Sequence, residues 1–200
     1  MARGPDLVGL TVLAMLSVRA AHPYELHRFI VDTHKDYVTG LPRSLYHAVG
    51  KLAGEELIVP VETGRQGRRP ERTVYEITDE GRRQLASRLH ALLETPHPDR
   101  RAFTAAVSLV GILPVSGALR ALRTRAATIE GLLAGTDAHL RAMKDNGLPD
   151  LLMIEVDYER ALNEAELAWV RRVIARLESG ELDWAGTVRQ DLLSQVLDGP

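Results

Sequence analysis

The sequence contains no cysteine, which excludes disulfide bonds, cysteine-ligated metal centres and thiol nucleophiles. Aromatic residues make up only 4%, so Leu, Val, Ile and Ala must build the core, and this favours helices. The apolar stretch from Leu7 to Val18 is too short to cross a bilayer. The residues that follow it make a poor signal-peptide cleavage site. We therefore expect a cytoplasmic protein that does not contact a membrane.

The chain has 200 residues, of which 45% are hydrophobic and 26% charged, values typical of one folded domain or two small ones. The net charge of −2 gives no general reason to expect a nucleic-acid partner. The local distribution of charge does suggest such a partner, because residues 65–72 contain four arginines and a single glutamate.

Three short helices are predicted in the first part of the chain. Asp6 is placed to cap a helix that is apolar on nearly all sides, and Pro23 and Pro42 each stand where a helix begins. The third helix has two distinct faces. Its buried stripe consists of Leu45, Val49 and Leu52, and its polar face carries Arg43, His47, Lys51 and Gly54.

Residues 57–62 and 73–77 alternate as β-strands do, and Pro60 restricts the first of them to a sheet edge. The turn between them, residues 63–70, is rich in glycine and arginine. Three helices followed by a basic two-stranded hairpin predict a winged helix-turn-helix. In that fold the third helix enters the major groove of DNA and the hairpin lies over a phosphate backbone.

A fourth helix, capped by Thr78 or Asp79, is expected to end before Pro96 and Pro98, which mark a junction. We accordingly predict a DNA-binding domain over residues 1–95 and a helical domain over residues 96–200. The predicted fold class is mainly α.

The second half predicts a helix from Phe103 to Leu113, then a heptad seam from Val115 to Met143. A break at residues 146–149 precedes another long helix, predicted to include Leu151, so the two form an antiparallel, coiled-coil-like pair. So long an apolar seam predicts a homodimer. The residues predicted for dimerisation are Leu119, Leu122, Ile129, Leu133, Leu140, Leu167, Val170 and Ile174.

Other site chemistries find little support. The histidines at 22, 27 and 34 have spacings that suit no shared metal site, and no nucleophile or oxyanion motif accompanies the carboxylates. We expect no enzyme activity, no cofactor and no metal. Tyr158, Trp169 and Trp184 could line a cavity for a planar aromatic effector, and packing in the core or an interface is the alternative.

Four sequence segments resemble the PadR family of bacterial transcriptional regulators, and the resemblance covers about residues 7–93. They are HPYEL at 22–26, SLYHAVGKL at 44–52, LI at 57–58 and GRRPERTVYEITDEG at 67–81. Residues 152–158, 166–169 and 180–184 are similar to the C-terminal helical domain of longer PadR proteins and virulence-type activators. The resemblance implies a homodimer that binds double-stranded operator DNA, usually as a repressor, and that often responds to a small aromatic compound.

From the pattern and the resemblance together, the predicted DNA-binding residues are Tyr24, Arg43, Ser44, Tyr46, His47, Lys51, Arg65, Arg68, Arg69 and Arg72. Two of the chain's residues depart from the family pattern. Arg43 and Glu56 stand where the family often has glycine. The left-handed backbone conformation that glycine adopts readily would cost Glu56 about 1 kcal/mol of folding free energy. We therefore expect the third helix to end differently, at Gly54. A dimeric adaptor whose winged helix binds protein is the alternative function.

Overall fold

A computed structural model describes residues 4–64 and 72–184. They form a mainly helical chain with one two-stranded antiparallel sheet. They cluster into two compact units: a first unit of residues up to 92 with 97–114 and Trp184, and a second unit of residues 93–96 with 115–183. The elements are α1 (Leu7–Leu16), α2 (Pro23–Asp32), α3 (Arg43–Gly54), β1 (Ile58–Gly64), β2 (Arg72–Ile77), α4 (Asp79–Glu94), α5 (Arg101–Ser108), α6 (Val115–Asp145) and α7 (Ile154–Glu178).

The first two helices begin where the sequence predicts. The Asp6 carboxylate accepts a hydrogen bond from the Gly9 amide at 2.8 Å and caps α1. At α2 the His22 ring accepts a hydrogen bond from the Tyr24 amide, and the Glu25 carboxylate accepts one from the His22 amide. This reciprocal pair is a capping box, so His22 has a structural role at the helix start.

Helix α3 ends at Gly54, as predicted, through a Schellman motif. The amide of Leu57 donates to the carbonyl of Leu52 at 3.0 Å, and the amide of Glu56 donates to the carbonyl of Ala53 at 3.1 Å. Glu56 nevertheless takes the left-handed conformation, with φ of 56°. The chain therefore bears the strain of a side chain at a position that suits glycine.

The hairpin of β1 and β2 is confirmed, with each strand slightly longer than predicted. Ile58 pairs with Ile77, and the register shifts after Pro60, so the proline lies at a β-bulge. On the other edge of β2, Tyr75 exchanges two backbone hydrogen bonds of 3.0 Å with Ala21. The hairpin is thereby joined to the connection between α1 and α2.

Thr78 caps α4, because its hydroxyl accepts a hydrogen bond from the Gly81 amide at 3.0 Å. Gly81 lies directly against the start of the hairpin. A Cβ atom at this position would come within 2.1 Å of the backbone oxygen of Leu57, so only glycine fits here. The close approach fixes α4 against the end of α3 and the first strand.

The core of the first unit is aliphatic, as the shortage of aromatic residues predicts. Its most enclosed side chains include Leu10, Leu13, Leu16, Leu26, Ile30, Leu45, Leu52, Ile58, Leu85 and Leu89. Helix α5 contacts α1 and buries Ala102, Ala105 and Ala106 completely. Residues 97–114 thus group with the first unit, although the sequence predicts a domain boundary after residue 95.

The helix predicted from Phe103 to Leu113 is wrong in extent. Helix α5 ends at Ser108, and a separate 3-10 turn follows at Val110–Ile112. The amide of Leu109 donates to both Ala105 and Ala106, a bifurcated bond that tightens the last turn and ends the α-helical ladder.

The second unit is the predicted antiparallel pair of long helices. Three ion pairs join α6 to α7 with residue numbers that rise on one helix as they fall on the other. They are Arg123 with Glu178, Glu130 with Arg171, and Asp137 with Arg160. Leu151 lies in a 3-10 turn at Asp150–Leu152, outside α7, so its predicted place on that helix is wrong.

The eight residues predicted for dimerisation differ in how deeply they are buried in the single chain. Leu122, Ile129, Leu167 and Val170 are at most 6% exposed in the single chain. These four side chains are buried within the single chain, in which α6 and α7 pair with each other. The other four, Leu119, Leu133, Leu140 and Ile174, are half-buried. The dimerisation role of all eight residues stays a prediction.

Candidate nucleic-acid interface

Helix α3 presents the face that the sequence predicts. Leu45, Val49 and Leu52 are buried on one side, and Arg43, His47 and Lys51 are exposed on the other. The separation follows from helical spacing, because residues four apart lie one above the other. Anchored by its apolar stripe, α3 therefore holds a polar face to solvent.

The exposed side chains on this face are open to a partner. Tyr46 is half exposed, and Tyr24 at the start of α2 is exposed to a similar degree. Within residues 4–64 and 72–184, no hydrogen bond or ion pair is formed by the side chains of Arg43, Tyr46, His47 and Tyr24. A guanidinium, an imidazole and two phenols with unused donors suit base edges and phosphate oxygens.

Ser44 has a different role from its neighbours. Its hydroxyl donates to the carbonyl of Thr39 at 2.7 Å, and its amide donates to the carbonyl of Gly40 at 3.1 Å. Gly40 has φ of 74°, a conformation that glycine adopts readily. Ser44 therefore fixes the turn that leads into α3, which sets where Arg43 begins the helix.

Lys51 is exposed but paired. Its ammonium lies 3.0 Å from the Asp6 carboxylate and 3.9 Å from that of Glu55. The sequence predicts Lys51 as a DNA contact and does not predict the pair with Asp6, 45 residues away. No local pattern could have shown it, since the contact depends on how α1 packs against α3.

The predicted residues of the hairpin are described only in part. Arg65, Arg68 and Arg69 lie outside the described residues. Arg72 is the first residue of β2, where its backbone pairs with Gly64, and nothing is described of its side chain. Their roles stay predictions.

Two of the three aromatic residues predicted for an effector lie apart on the same helix. Tyr158 and Trp169 are both on α7, eleven positions apart, or about 17 Å along the helix axis. Tyr158 is exposed and Trp169 half-buried. Trp184 belongs to the first unit, where its indole N–H donates to the carbonyl of Leu113 at 2.8 Å.

The connected end of the α6–α7 pair, where residues 146–153 join the two helices, has an exposed apolar surface with a groove of about 610 Å³. Leu140, Leu151, Met153 and Ile154 line the groove together with charged residues of both signs. Leu151 is 76% exposed, and Tyr158, further along α7, is 61% exposed. Monomeric proteins rarely expose apolar residues in such a cluster.

Residues 4–64 and 72–184 hold no cluster of three or more His, Cys, Asp or Glu side chains able to bind a metal ion. Across the same ranges, every helix falls short of the length and apolarity needed to span a bilayer.

The first unit has the order and geometry of a winged helix-turn-helix, with an exposed polar third helix and a two-stranded hairpin. Residues 12–87 match the model of the Transcriptional regulator PadR-like family, and this segment is a PadR-like domain. The similarity of residues 152–184 to a virulence-activator-type domain stays a prediction. A search of the curated proteins found no match.

Solved structures similar to this chain include Bacillus subtilis PadR in complex with operator DNA, with 17% identity, a TM-score of 0.39, and coverage of 84% of this chain and 98% of that one. For Bacillus subtilis PadR in complex with p-coumaric acid, the identity is 14%, the TM-score 0.37 and the coverage 88% and 99%. For the PadR-like transcriptional regulator BC1756 from Bacillus cereus, the identity is 20%, the TM-score 0.36 and the coverage 88% and 99%.

Proposed function

We propose that this protein is a homodimeric, DNA-binding transcriptional regulator that acts in the cytoplasm as a repressor. The observation that carries the proposal is the exposed face of α3 in a PadR-like domain, on which the side chains of Arg43, Tyr46 and His47 have no partner among the described residues. An arginine near the start of a recognition helix can bind a guanine edge with two hydrogen bonds. The proposal assigns no catalytic residue, cofactor or metal.

The wing completes the proposed DNA contact. Arg65, Arg68, Arg69 and Arg72 would neutralise phosphates on either side of the groove that α3 enters. Phosphate contacts fix the position of a protein on DNA without reading sequence. Replacing Arg68 and Arg69 by Ala should therefore weaken binding to all sequences about equally and lower the salt dependence by about 0.9 per lost contact.

The homodimer is supported by the exposed apolar surface at the connected end of the α6–α7 pair. The groove there is lined by Arg141 and Lys144 as well as Asp150 and Asp157. A two-fold axis brings a patch against itself, so a patch with both charges can be complementary to its own copy. A two-fold dimer would bind an inverted-repeat operator whose half-sites lie about one or two helical turns apart.

Regulation by a small aromatic compound is part of the proposal and comes from the family resemblance. Tyr158, Trp169 and Trp184 are the candidate contacts, as separate positions. Tryptophan fluorescence titrated with planar phenolic compounds would test it. Release of DNA by a compound that leaves the tryptophan emission unchanged would place the ligand site elsewhere.

The most direct test of the proposal is selection of bound fragments from genomic DNA of the source organism. We expect enrichment of fragments that share an inverted repeat, and loss of that enrichment in Arg43→Ala. The competing function is a protein-binding adaptor. Failure of the folded wild-type protein to retain any fragment, together with retention of a protein partner, would favour that adaptor.

A further inference from the structure

Lys51 lies on the exposed polar face of α3, next to two carboxylates. Its ammonium is bonded to the Asp6 carboxylate at 3.0 Å and lies 3.9 Å from the Glu55 carboxylate. These three side chains carry one positive and two negative charges, and the positive charge of Arg88 also acts on Asp6. A phosphate placed here would meet repulsion from Asp6 and Glu55 in addition to the attraction of Lys51.

Asp6 is firmly held in this position. One of its carboxylate oxygens accepts the Gly9 amide and the other accepts the Lys51 ammonium. A Cβ atom at Gly9 would lie 2.8 Å from the oxygen bound to Lys51, so the glycine makes room for the carboxylate. Burial raises the pKa of Asp6, but the bonds from Gly9 and Lys51 and the charge of Arg88 outweigh burial and leave it below its usual range.

We propose that Asp6 is a positioning residue that holds Lys51 on the start of α1 and withholds it from DNA phosphates. The inference rests on the proposed DNA-binding function and deepens it. Because Asp6 holds Lys51, the electrostatic contribution to DNA affinity is smaller than it would be if every cation of α3 contacted a phosphate. Arg43 and His47 have no such partner in the part of the chain that the structure describes. Their contacts then account for a larger share of binding and favour sequence readout over general attraction.

The test is Asp6→Asn in the full-length protein. Asparagine caps helices as well as aspartate does, so α1 should keep its cap while Lys51 loses its strongest partner. Binding to a mixed-sequence DNA duplex is measured against salt concentration. One released phosphate contact should steepen the slope of log affinity against log salt by about 0.9 per bound α3, which is about a 3.5-fold larger change between 50 and 200 mM salt.

A double-mutant cycle tests whether the gain acts through Lys51. Lys51→Ala alone should leave the wild-type slope unchanged, and Asp6→Asn should have no effect on the slope once Lys51 is alanine. Asp32→Asn is the matched control, because it also removes an acid from an exposed ion pair, with Arg28 on α2. It should not change the slope.

The outcomes separate the two proposals. Binding by the wild type with equal slopes for the wild type and Asp6→Asn would overturn the role of Asp6 and leave the regulator intact. A shallower slope for Lys51→Ala would also overturn it, because Lys51 would then already contact phosphate. Absence of any DNA binding by the folded wild-type protein would overturn the proposed function and this inference together.

Discussion

The side chain of Arg125 on α6 is buried, 2% exposed, with its guanidinium 2.7 Å from the Glu166 carboxylate on α7. The same guanidinium donates to the carbonyls of Leu93 and Thr95 at 3.4 and 3.0 Å. Arg125 thus ties the end of α4 to both long helices. A buried charge of this kind depends on every partner that the fold supplies.

Removing the Glu166 carboxylate alone should therefore lower the free energy of unfolding substantially. We expect Glu166→Leu to destabilise the fold by about 3 kcal/mol, because Arg125 would remain buried without its counter-charge. The double variant Arg125→Met with Glu166→Leu should recover most of that loss. Denaturant unfolding measures both.

Glu130 and Arg171 provide the control, since they form a 2.8 Å ion pair between the same two helices but are exposed. Breaking that pair should cost less than about 1 kcal/mol. Equal losses at the two pairs, or additive losses at Arg125 and Glu166, would contradict the special role of the buried pair.

The recognition helix can be separated from its support by two substitutions. Arg43→Ala should weaken specific binding by about 1–3 kcal/mol and relax preference at one base pair, with the melting temperature unchanged. Leu52→Ala, at a fully buried position, should lower stability by about 2–5 kcal/mol. Operator affinity and melting temperature are measured for both. An Arg43→Ala protein that is folded and binds the operator normally would remove α3 from base readout.

How far the sequence predicted the fold is clearest at α3. Helical spacing and Pro42 predict its start and both faces, because those depend on residues close together in the chain. Its end at Gly54 is predicted from the departure of Glu56 from the PadR family pattern. The partners of Lys51 and Arg125 were not predictable in that way. Asp6 and Glu166 are 45 and 41 residues away from them, and only tertiary packing brings each pair together. The same reason explains why the sequence does not show that Leu167 and Val170, two of the residues predicted for dimerisation, are buried in the single chain.

Glu56 offers a test of backbone strain. Its φ of 56° is costly for a residue with a Cβ atom, so Glu56→Gly should stabilise the protein by about 1 kcal/mol and raise the melting temperature by ~2–4 °C. Glu55→Gly is the control, because the neighbouring residue has φ of −87° and gains nothing from glycine. A gain at both positions, or at neither, would show that the left-handed conformation is not the cause.

Asp6 should also make the free energy of unfolding depend on pH. Its folded-state pKa is lowered, so the stability it contributes is fully present above the unfolded value of about 4 and is lost as the pH falls through the lower, folded value. The difference in unfolding free energy between the wild type and Asp6→Asn should therefore shrink below about pH 4. A difference that stayed constant down to the acid limit would show that the carboxylate is not linked to folding.

The homodimer can be tested at the connected end of the α6–α7 pair. Leu151 and Ile154 are 76% and 63% exposed in the single chain, so replacing both with Glu should leave each chain folded and helical. If a second subunit covers them, two charges per chain would be buried in the interface and the dimer should dissociate. Sedimentation should show a dimer for the wild type and a monomer for the variant, and operator affinity should fall because the half-sites are no longer bound as a linked pair.

The control is Val31→Glu on α2, at a half-exposed apolar position of the first unit, which should remain dimeric. A wild type that sediments as a monomer at micromolar concentration, or a Leu151 and Ile154 variant that stays dimeric, would contradict the assignment of this surface to dimerisation.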